Sequence, residues 1–282
     1  MAERKTQRVT LQEAADRLGI HYMTAYRHMR LGTLPAERAD GRWWVLVSDL
    51  QALRDQPAGS ARGKRGKPDW TTHRERLDRM LLAGDNAGAW AVVESALRGG
   101  AEPLSLYVDL IAPVLRSIGR RWSDGELTVA DEHRATATAR TVVGRLGPRF
   151  NHVGRPRAAV LLGGAAGDHH QLPLTMLSDV VRGAGYNVVD LGPNTPGESF
   201  VEAAQQAELS AIGISVATDR AVREARATVK ALRASGAEEP ILVGGPAVDE
   251  FVARSIGADG WAADARDALR ELDRIVGSVP TA

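Results

Sequence analysis

The chain has 282 residues, a net charge of +1, 44% apolar residues and no cysteine. That length allows roughly two or three domains with ordinary apolar cores, and the lack of cysteine excludes disulfides, thiolate metal sites and cysteine nucleophiles and fits a reducing compartment. The opening segment has no apolar stretch of signal-peptide length and no apolar run is long enough to span a membrane, so the reading is a soluble, cytoplasmic protein with no membrane partner. Charge is uneven. Residues 1–70 hold 13 Lys and Arg against 8 Asp and Glu, a balance of +5, and the remainder balances at −4. A basic leading part on an acidic body points to a polyanion as partner of the first part.

Leu11, Ala14, Ala15 and Leu18 repeat with helical period, Thr10 and Glu13 have capping-box spacing, and Gly19 supplies a stop. A second helix is expected from about Tyr22 to Leu31, ended by Gly32. Two short helices around a Gly-containing turn read as a helix-turn-helix. Ala25 and Met29 should pack inward, leaving Thr24, Arg27, His28 and Arg30 exposed to reach bases or phosphates of double-stranded DNA. Asp40-Gly41 then predicts a tight hairpin turn, flanked by Arg38 and Arg42, where a wing would meet phosphate. Ser48 or Asp49 caps a third helix. The stretch LQEAADRLGIHYMTAYRHMRLGTLPAERADGRWWV resembles the winged helix-turn-helix of the MerR and excisionase families.

Residues 57–70 are rich in Gly, Pro and basic side chains and read as a flexible linker between a DNA-binding domain at 1–56 and the remainder of the chain. Residues 71–150 predict four helical segments, at about 72–83, 86–96, 103–122 and 128–146, which suit a four-helix bundle. The bundle contains Trp122 and, on the next segment, Glu132-His133. By residue type alone, the tryptophan reads as core and the Glu-His pair as surface.

From 156 to 282 strands and helices alternate. Apolar runs at 158–162, 186–190, 211–215 and 241–245 and a short strand at 260–262 are separated by helical stretches, with one helix expected to start at Leu174. This pattern predicts a doubly wound parallel α/β sheet whose ligand lies beyond the C-terminal strand ends. The loops that matter are then 163–173, 191–196, 215–219 and 244–247. The first contains Asp168-x-His170, a spacing that lets a carboxylate hold one imidazole nitrogen while the other faces a metal. His169 is read as a solvent-facing neighbour.

Asp168-x-His170-x-x-Pro173, then Ser215-Val216-Ala217, then Gly244-Gly245 resembles the pattern of the Rossmann-like cobalamin-binding domain, Asp-x-His-x-x-Gly, Ser-x-Leu and Gly-Gly. The intervening 41 and 26 residues suit that family. Pro173 and Ala217 depart from it. Together the three parts resemble the CarH/LitR family of cobalamin-dependent photoreceptor repressors, in which a bundle caps the corrin and carries Trp-x9-Glu-His. Trp122 and Glu132-His133 reproduce that spacing.

The resemblance implies adenosylcobalamin as chromophore, His170 as lower axial cobalt ligand oriented by Asp168, and Ser215, Gly244 and Gly245 at the cofactor. It also implies Trp122 against the upper adenosyl group, Glu132 hydrogen-bonded near it, and His133 as an upper cobalt ligand after light. A homotetramer would bind an operator and repress in the dark, and light would dissociate it. The same residues also suit a regulator that senses cobalamin or a partner without light. A corrinoid carrier for a methyltransferase or mutase, and a pocket for another corrinoid or tetrapyrrole, stay open as well. The chain has no catalytic domain and is not read as an enzyme.

Overall fold

The computed structural model describes residues 8–18, 20–30, 34–54 and 68–277, with backbone alone at 27, 28, 30 and 51–54. The chain divides into two compact units, Met1–Gly66 and Lys67–Ala282. Among the described residues no helix is long and apolar enough to cross a membrane.

In the first unit, β1 (Arg8–Thr10) leads into α1 (Leu11–Leu18) and α2 (Tyr22–Arg30), followed by β2 (Glu37–Ala39), β3 (Arg42–Leu46) and α3 (Val47–Arg54). The capping box forms as expected: the Thr10 N–H donates to Glu13 at 2.9 Å and the Glu13 N–H donates to the Thr10 hydroxyl at 3.3 Å. Asp40 and Gly41 both take positive φ, 51° and 76°, which is the backbone a two-residue hairpin turn requires. Ala39 consequently pairs with Arg42. β1 pairs with the other edge of β3 and makes a three-stranded antiparallel sheet, an addition that the sequence pattern did not announce. Leu11, Ala14, Ala15, Ala25, Leu34 and Val45 form the core. Gly19, Gly32 and linker residues 57–67 lie outside the described residues.

The second unit begins with a helical layer: α4 (Trp70–Ala83), α5 (Asn86–Arg98), α6 (Pro103–Ser105), a π-helical stretch (Leu106–Ile111), α7 (Ala112–Ser123) and α8 (Val129–Leu146). Its helix starts follow local chemistry. The Asp69 and Asp85 side chains cap α4 and α5, and Thr128 and Asp131 form a reciprocal box on α8. The segment expected at 103–122 is thus broken by one π stretch, into which the Arg74 side chain donates a hydrogen bond at the Asp109 carbonyl.

The sheet layer runs β4 (Ala159–Gly164), α9 (Gln171–Gly183), β5 (Asn187–Asp190), α10 (Gly197–Gln206), β6 (Ala211–Ser215), α11 (Asp219–Ala234), β7 (Ile241–Gly244), α12 (Glu250–Ile256), β8 (Gly260–Ala262) and α13 (Ala265–Gly277). All five strands are parallel in the order β5-β4-β6-β7-β8. α9 and α13 cover one face and α10, α11 and α12 the other. α9 is apolar on two sides. Leu172, Met176 and Val180 pack into the core of the helical layer, while Leu174 and Val181 pack on the sheet. A helix buried on both faces therefore joins the two layers.

One expectation is corrected. α9 starts at Gln171, not Leu174, so Pro173 sits inside its first turn. A helix leaves its first N–H groups without helical partners, so the missing proline N–H removes no bond there.

Candidate functional site

The strand order reverses between β4 and β6, and the loops after these strands meet at the C-terminal edge of the sheet, where open α/β sheets bind ligands. Gly164, Ser215, Gly244 and Ala262 stand in one row across that edge. Asp168 lies at its centre, with 1% of its surface exposed. Its Oδ1 accepts from the His170 Nδ1 at 2.7 Å and the His170 N–H at 3.1 Å, and its Oδ2 accepts from the Ala217 N–H at 2.5 Å. Burial by itself would raise the pKa of this carboxyl. The hydrogen bonds from His170 and Ala217 outweigh it and hold the group below its ordinary value.

His170 is the residue just before α9, and 56% of its side chain is exposed. Because Nδ1 is committed to Asp168, Nε2 is the nitrogen that can take a ligand. The bond to Asp168 raises the imidazole pKa against the opposing effect of partial burial, and the charge of Glu132 acts in the same direction. The start of α8 is therefore electrostatically coupled to the His170 loop. His169 is exposed.

Ala217 reaches the site through its backbone N–H, a role that does not depend on the side chain. Asn194 was not singled out by the sequence pattern. Its N–H donates to the Asp168 carbonyl at 2.8 Å and its side chain accepts from the Gly167 N–H at 2.7 Å, so it braces the loop that carries His170. The Gly-Pro-Asn-Thr turn was the available signal, since asparagine tolerates the φ of 53° found here.

Gly244 and Gly245 keep the edge low. A Cβ on Gly244 would lie 2.8 Å from the Ala262 carbonyl oxygen, and one on Gly245, at φ 130°, would collide with the Val216 carbonyl oxygen. Below this edge a cavity of about 380 Å³ opens between the sheet, α9, α13 and the helical layer. Leu162, Val181, Leu242 and Leu272 line its interior, and Ser215, Gly244, Gly245 and Pro173 also border it.

Trp122 closes α7 with 47% of its surface exposed, and a short loop leads from there to α8, where Glu132 and His133 occupy the first turns. The Thr136 hydroxyl donates to Glu132 at 2.6 Å, and the other Glu132 carboxylate oxygen lies 3.8 Å from His133 Nε2. The structure thus brings Asp168, His170, Ser215, Gly244 and Gly245 together and places Trp122, Glu132 and His133 at one end of the helical layer.

In the first unit Arg38 and Arg42 flank the hairpin turn and are exposed. Arg38 lies over the Trp43 ring at 5.8 Å. Thr24 is half-buried, which corrects its expected exposure, and Met23 stands exposed on α2 instead. Arg27, His28 and Arg30 fall on α2, and their side chains lie outside the described residues.

Among the described residues no three His, Asp or Glu side chains converge as a metal cage. A single imidazole beside a low, glycine-lined edge and a deep apolar cavity suits a metal that arrives already held on its other sides. A cobalt corrinoid would fit that donor set, with His170 Nε2 as the protein's one nitrogen for the metal and the glycine edge and cavity as the surfaces that could receive the rest of the group.

Comparison with known proteins agrees. Residues 158–272 match a B12 binding domain, residues 73–146 match a second B12 binding domain model, and residues 9–56 match a helix-turn-helix domain. The chain is 26% identical over 212 residues to a corrinoid protein of Desulfitobacterium hafniense, covering 72% of this chain and 97% of that one. It is 28% identical over 204 residues to the HTH-type transcriptional repressor CarH of Myxococcus xanthus, covering 72% and 67%. The monomethylamine corrinoid protein of Methanosarcina barkeri superimposes with a TM-score of 0.65 at 18% identity, over 72% of this chain and 99% of its own, which shows a shared fold. By name these relatives are two corrinoid proteins and a transcriptional repressor. The chain therefore joins a helix-turn-helix domain to a B12-binding module with a cobalamin-type cofactor.

Proposed function

We propose that this protein is a DNA-binding transcriptional repressor whose assembly is set by adenosylcobalamin and by light. The Asp168–His170 pair beneath a glycine-lined edge, in a chain that also carries a helix-turn-helix, is the observation that carries this reading. A winged DNA-binding domain at 1–56, a linker from 57 that ends before the Asp69 cap of α4, a helical cap that runs from there to about 150, and a cobalamin domain at 156–282 divide the work. His170 Nε2 is the lower cobalt ligand, and Asp168 fixes the ring so that this nitrogen and not Nδ1 is presented. Ser215, Gly244 and Gly245 border the ring and its tail. When bound, adenosylcobalamin supplies a photolabile cobalt–carbon bond.

Trp122 would cover the upper side of the group, Glu132 would accept a hydrogen bond there, and His133 would be available as a second cobalt ligand. The partial exposure of Trp122 leaves apolar surface for a ligand to cover. Thr24, Arg27, His28, Arg30, Arg38 and Arg42 meet the operator, and a homotetramer in the dark multiplies the contacts of each domain.

A light-exposure experiment tests this. The full chain is loaded with adenosylcobalamin in the dark, and its absorption spectrum, solution mass and operator affinity are compared before and after green light. Loss of mass and of DNA binding after light is expected. Failure to bind any corrinoid refutes the reading as a whole. Bound corrinoid with unchanged mass and DNA affinity refutes the light response alone.

Corrinoid carriage for a methyltransferase is a second reading, favoured by the likeness to the corrinoid protein of Desulfitobacterium hafniense. Absence of operator binding in both states, with tight corrinoid binding, selects it.

A further inference from the structure

The cavity below the glycine edge differs from the rim in chemistry. Its sheet and helix walls are side chains such as Val160, Leu162, Leu177, Val181, Leu242 and Leu272. Four polar side chains border it: Tyr107, Arg116, Ser215 and Asp264. Two of these already have partners. The Tyr107 hydroxyl donates to Asp179 at 2.7 Å. Asp264 Oδ1 accepts the Arg266 and Asp267 N–H groups at 2.8 and 3.0 Å and so caps α13. Arg116 is exposed, and Ser215 belongs to the glycine row at the rim.

Corrinoids share the ring and differ in the base at the end of the nucleotide tail. A benzimidazole carrying two methyl groups offers an apolar body to such walls. A purine brings an exocyclic amine and additional ring nitrogens, each of which loses its water in an apolar cavity without gaining a partner.

We propose that this cavity selects the corrinoid by its lower base, favouring a dimethylbenzimidazole over a purine, with Leu177 and Val181 as specificity-determining residues. The inference rests on the corrinoid reading above and deepens it. Leu177 is half-buried, so a polar replacement there disturbs packing least, and Val181 lies deeper against the sheet.

The test compares equilibrium binding of three probes to the full chain in the dark by absorbance: aquocobalamin, its adenine-bearing counterpart, and cobinamide, which has no nucleotide. Wild type and Leu177→Gln are measured side by side. Each free corrinoid carries its own cost of releasing its base from cobalt, and that cost cancels in the ratio between proteins. Leu177→Gln supplies an amide that can pair with a purine edge, so the cobalamin-to-adenine affinity ratio should fall about 10-fold. Circular dichroism reports whether the variant is folded. If it is not, Val181→Thr, nearly equal in volume, carries the same comparison. An unchanged ratio in the folded variant overturns the selectivity. A loss of cobinamide affinity in Leu177→Gln as large as the loss of cobalamin affinity overturns it too, because the substitution would then act on the ring and not through the tail. Both of these results leave the corrinoid site standing. Binding of none of the three removes the site and the selectivity together.

Discussion

Asp168→Asn isolates the orienting role of one carboxylate with almost no change in volume. Asp168 has two acceptor oxygens facing three donors: the imidazole Nδ1–H and N–H of His170 on one side and the Ala217 N–H on the other. An amide has one acceptor oxygen and one NH2. If the NH2 faces Ala217, two donors oppose each other in a site that is 1% exposed. If it faces His170, the imidazole must accept at Nδ1, and its proton moves to Nε2, the nitrogen required for cobalt. Either orientation loses one charge-assisted bond and leaves one donor unsatisfied, about 1–3 kcal/mol of stability. In a unit of this size that lowers the melting temperature by roughly 2–10 °C. The displaced tautomer lowers corrinoid affinity by about 10- to 100-fold. Thermal melting of the ligand-free chain measures the first effect, and absorbance titration with aquocobalamin in the dark measures the second. Wild-type affinity together with the spectrum of a histidine-ligated corrinoid in Asp168→Asn would refute the orienting role.

Four other outcomes are expected. Gly245→Ala forces a side chain onto the Val216 carbonyl at a backbone angle that L residues rarely adopt, and should destabilise the second unit by about 3 kcal/mol, read by chemical denaturation; a wild-type midpoint contradicts the crowding. Burial raises the Asp179 pKa above its ordinary value, with Tyr107 and Arg182 opposing that rise. The folded chain therefore holds this proton more tightly than the unfolded chain, and the stabilising contribution is full below the unfolded pKa and lost as pH rises through the folded one. Asp179→Asn keeps an acceptor for Tyr107 and should flatten the fall of the melting temperature as pH rises above the ordinary carboxylate range; an unaltered slope there rejects the assignment. Replacing Arg38 or Arg42 by Ala should weaken DNA binding across sequences and reduce the salt slope by about one per lost phosphate contact, and an undiminished slope removes that arginine from the interface. His133→Ala should leave dark corrinoid binding intact and change the spectrum after light; an identical light-exposed spectrum excludes it as a cobalt ligand.

Much of this architecture was legible because short-range chemistry dictates it. The capping box of Thr10 and Glu13, the Asp40-Gly41 turn and the apolar run Ala211–Ser215 each specify their element with residues close in sequence. The Asp168–His170 bond is likewise a matter of two positions. What escaped the sequence depends on contacts between distant segments. β1 has three residues, too few for a period, and exists because β3 offers it an edge. α9 begins before Pro173 because the loop fixed by Asp168 and Asn194 delivers the chain to it already turned. Helical period put Thr24 outside and did not mark Met23, an apolar residue that the fold leaves exposed while Thr24 is half-buried. The cavity could not be read at all. Its walls come from four strands, from α7, α9 and α13, and from the π-helical stretch.

The placement of α7 gives the proposed switch a mechanical path. Ala112, Leu115 and Arg116 at its start border the cavity, and Trp122 stands at its end. At 1.5 Å per residue, Leu115 and Trp122 are about 10 Å apart along one continuous helix, which transmits a tilt without bending. The start of α7 is also held to the sheet layer. In the π-helical stretch just ahead of it, Asp109 pairs with Arg266 of α13 at 3.0 Å and Tyr107 bonds Asp179 of α9. The trailing end carries Trp122, half exposed, and is tied not to the sheet layer but to α4, where Arg121 donates to Asp78 at 2.5 Å. In the proposed switch, α7 would pivot about its anchored start and carry the Trp122 end with it. Such a pivot would convert loss of a partner at Trp122 into displacement of the α7–α8 end. The Tyr107→Phe variant separates the two ends. It removes the bond to Asp179 while keeping the ring stacked on Phe150, 4.7 Å away. A pivot predicts that this variant keeps cobalamin affinity within about threefold, an energy below that of one hydrogen bond, yet weakens the difference in solution mass between dark and light. Equal dark–light differences in the two proteins would mean that the anchor plays no part in the switch.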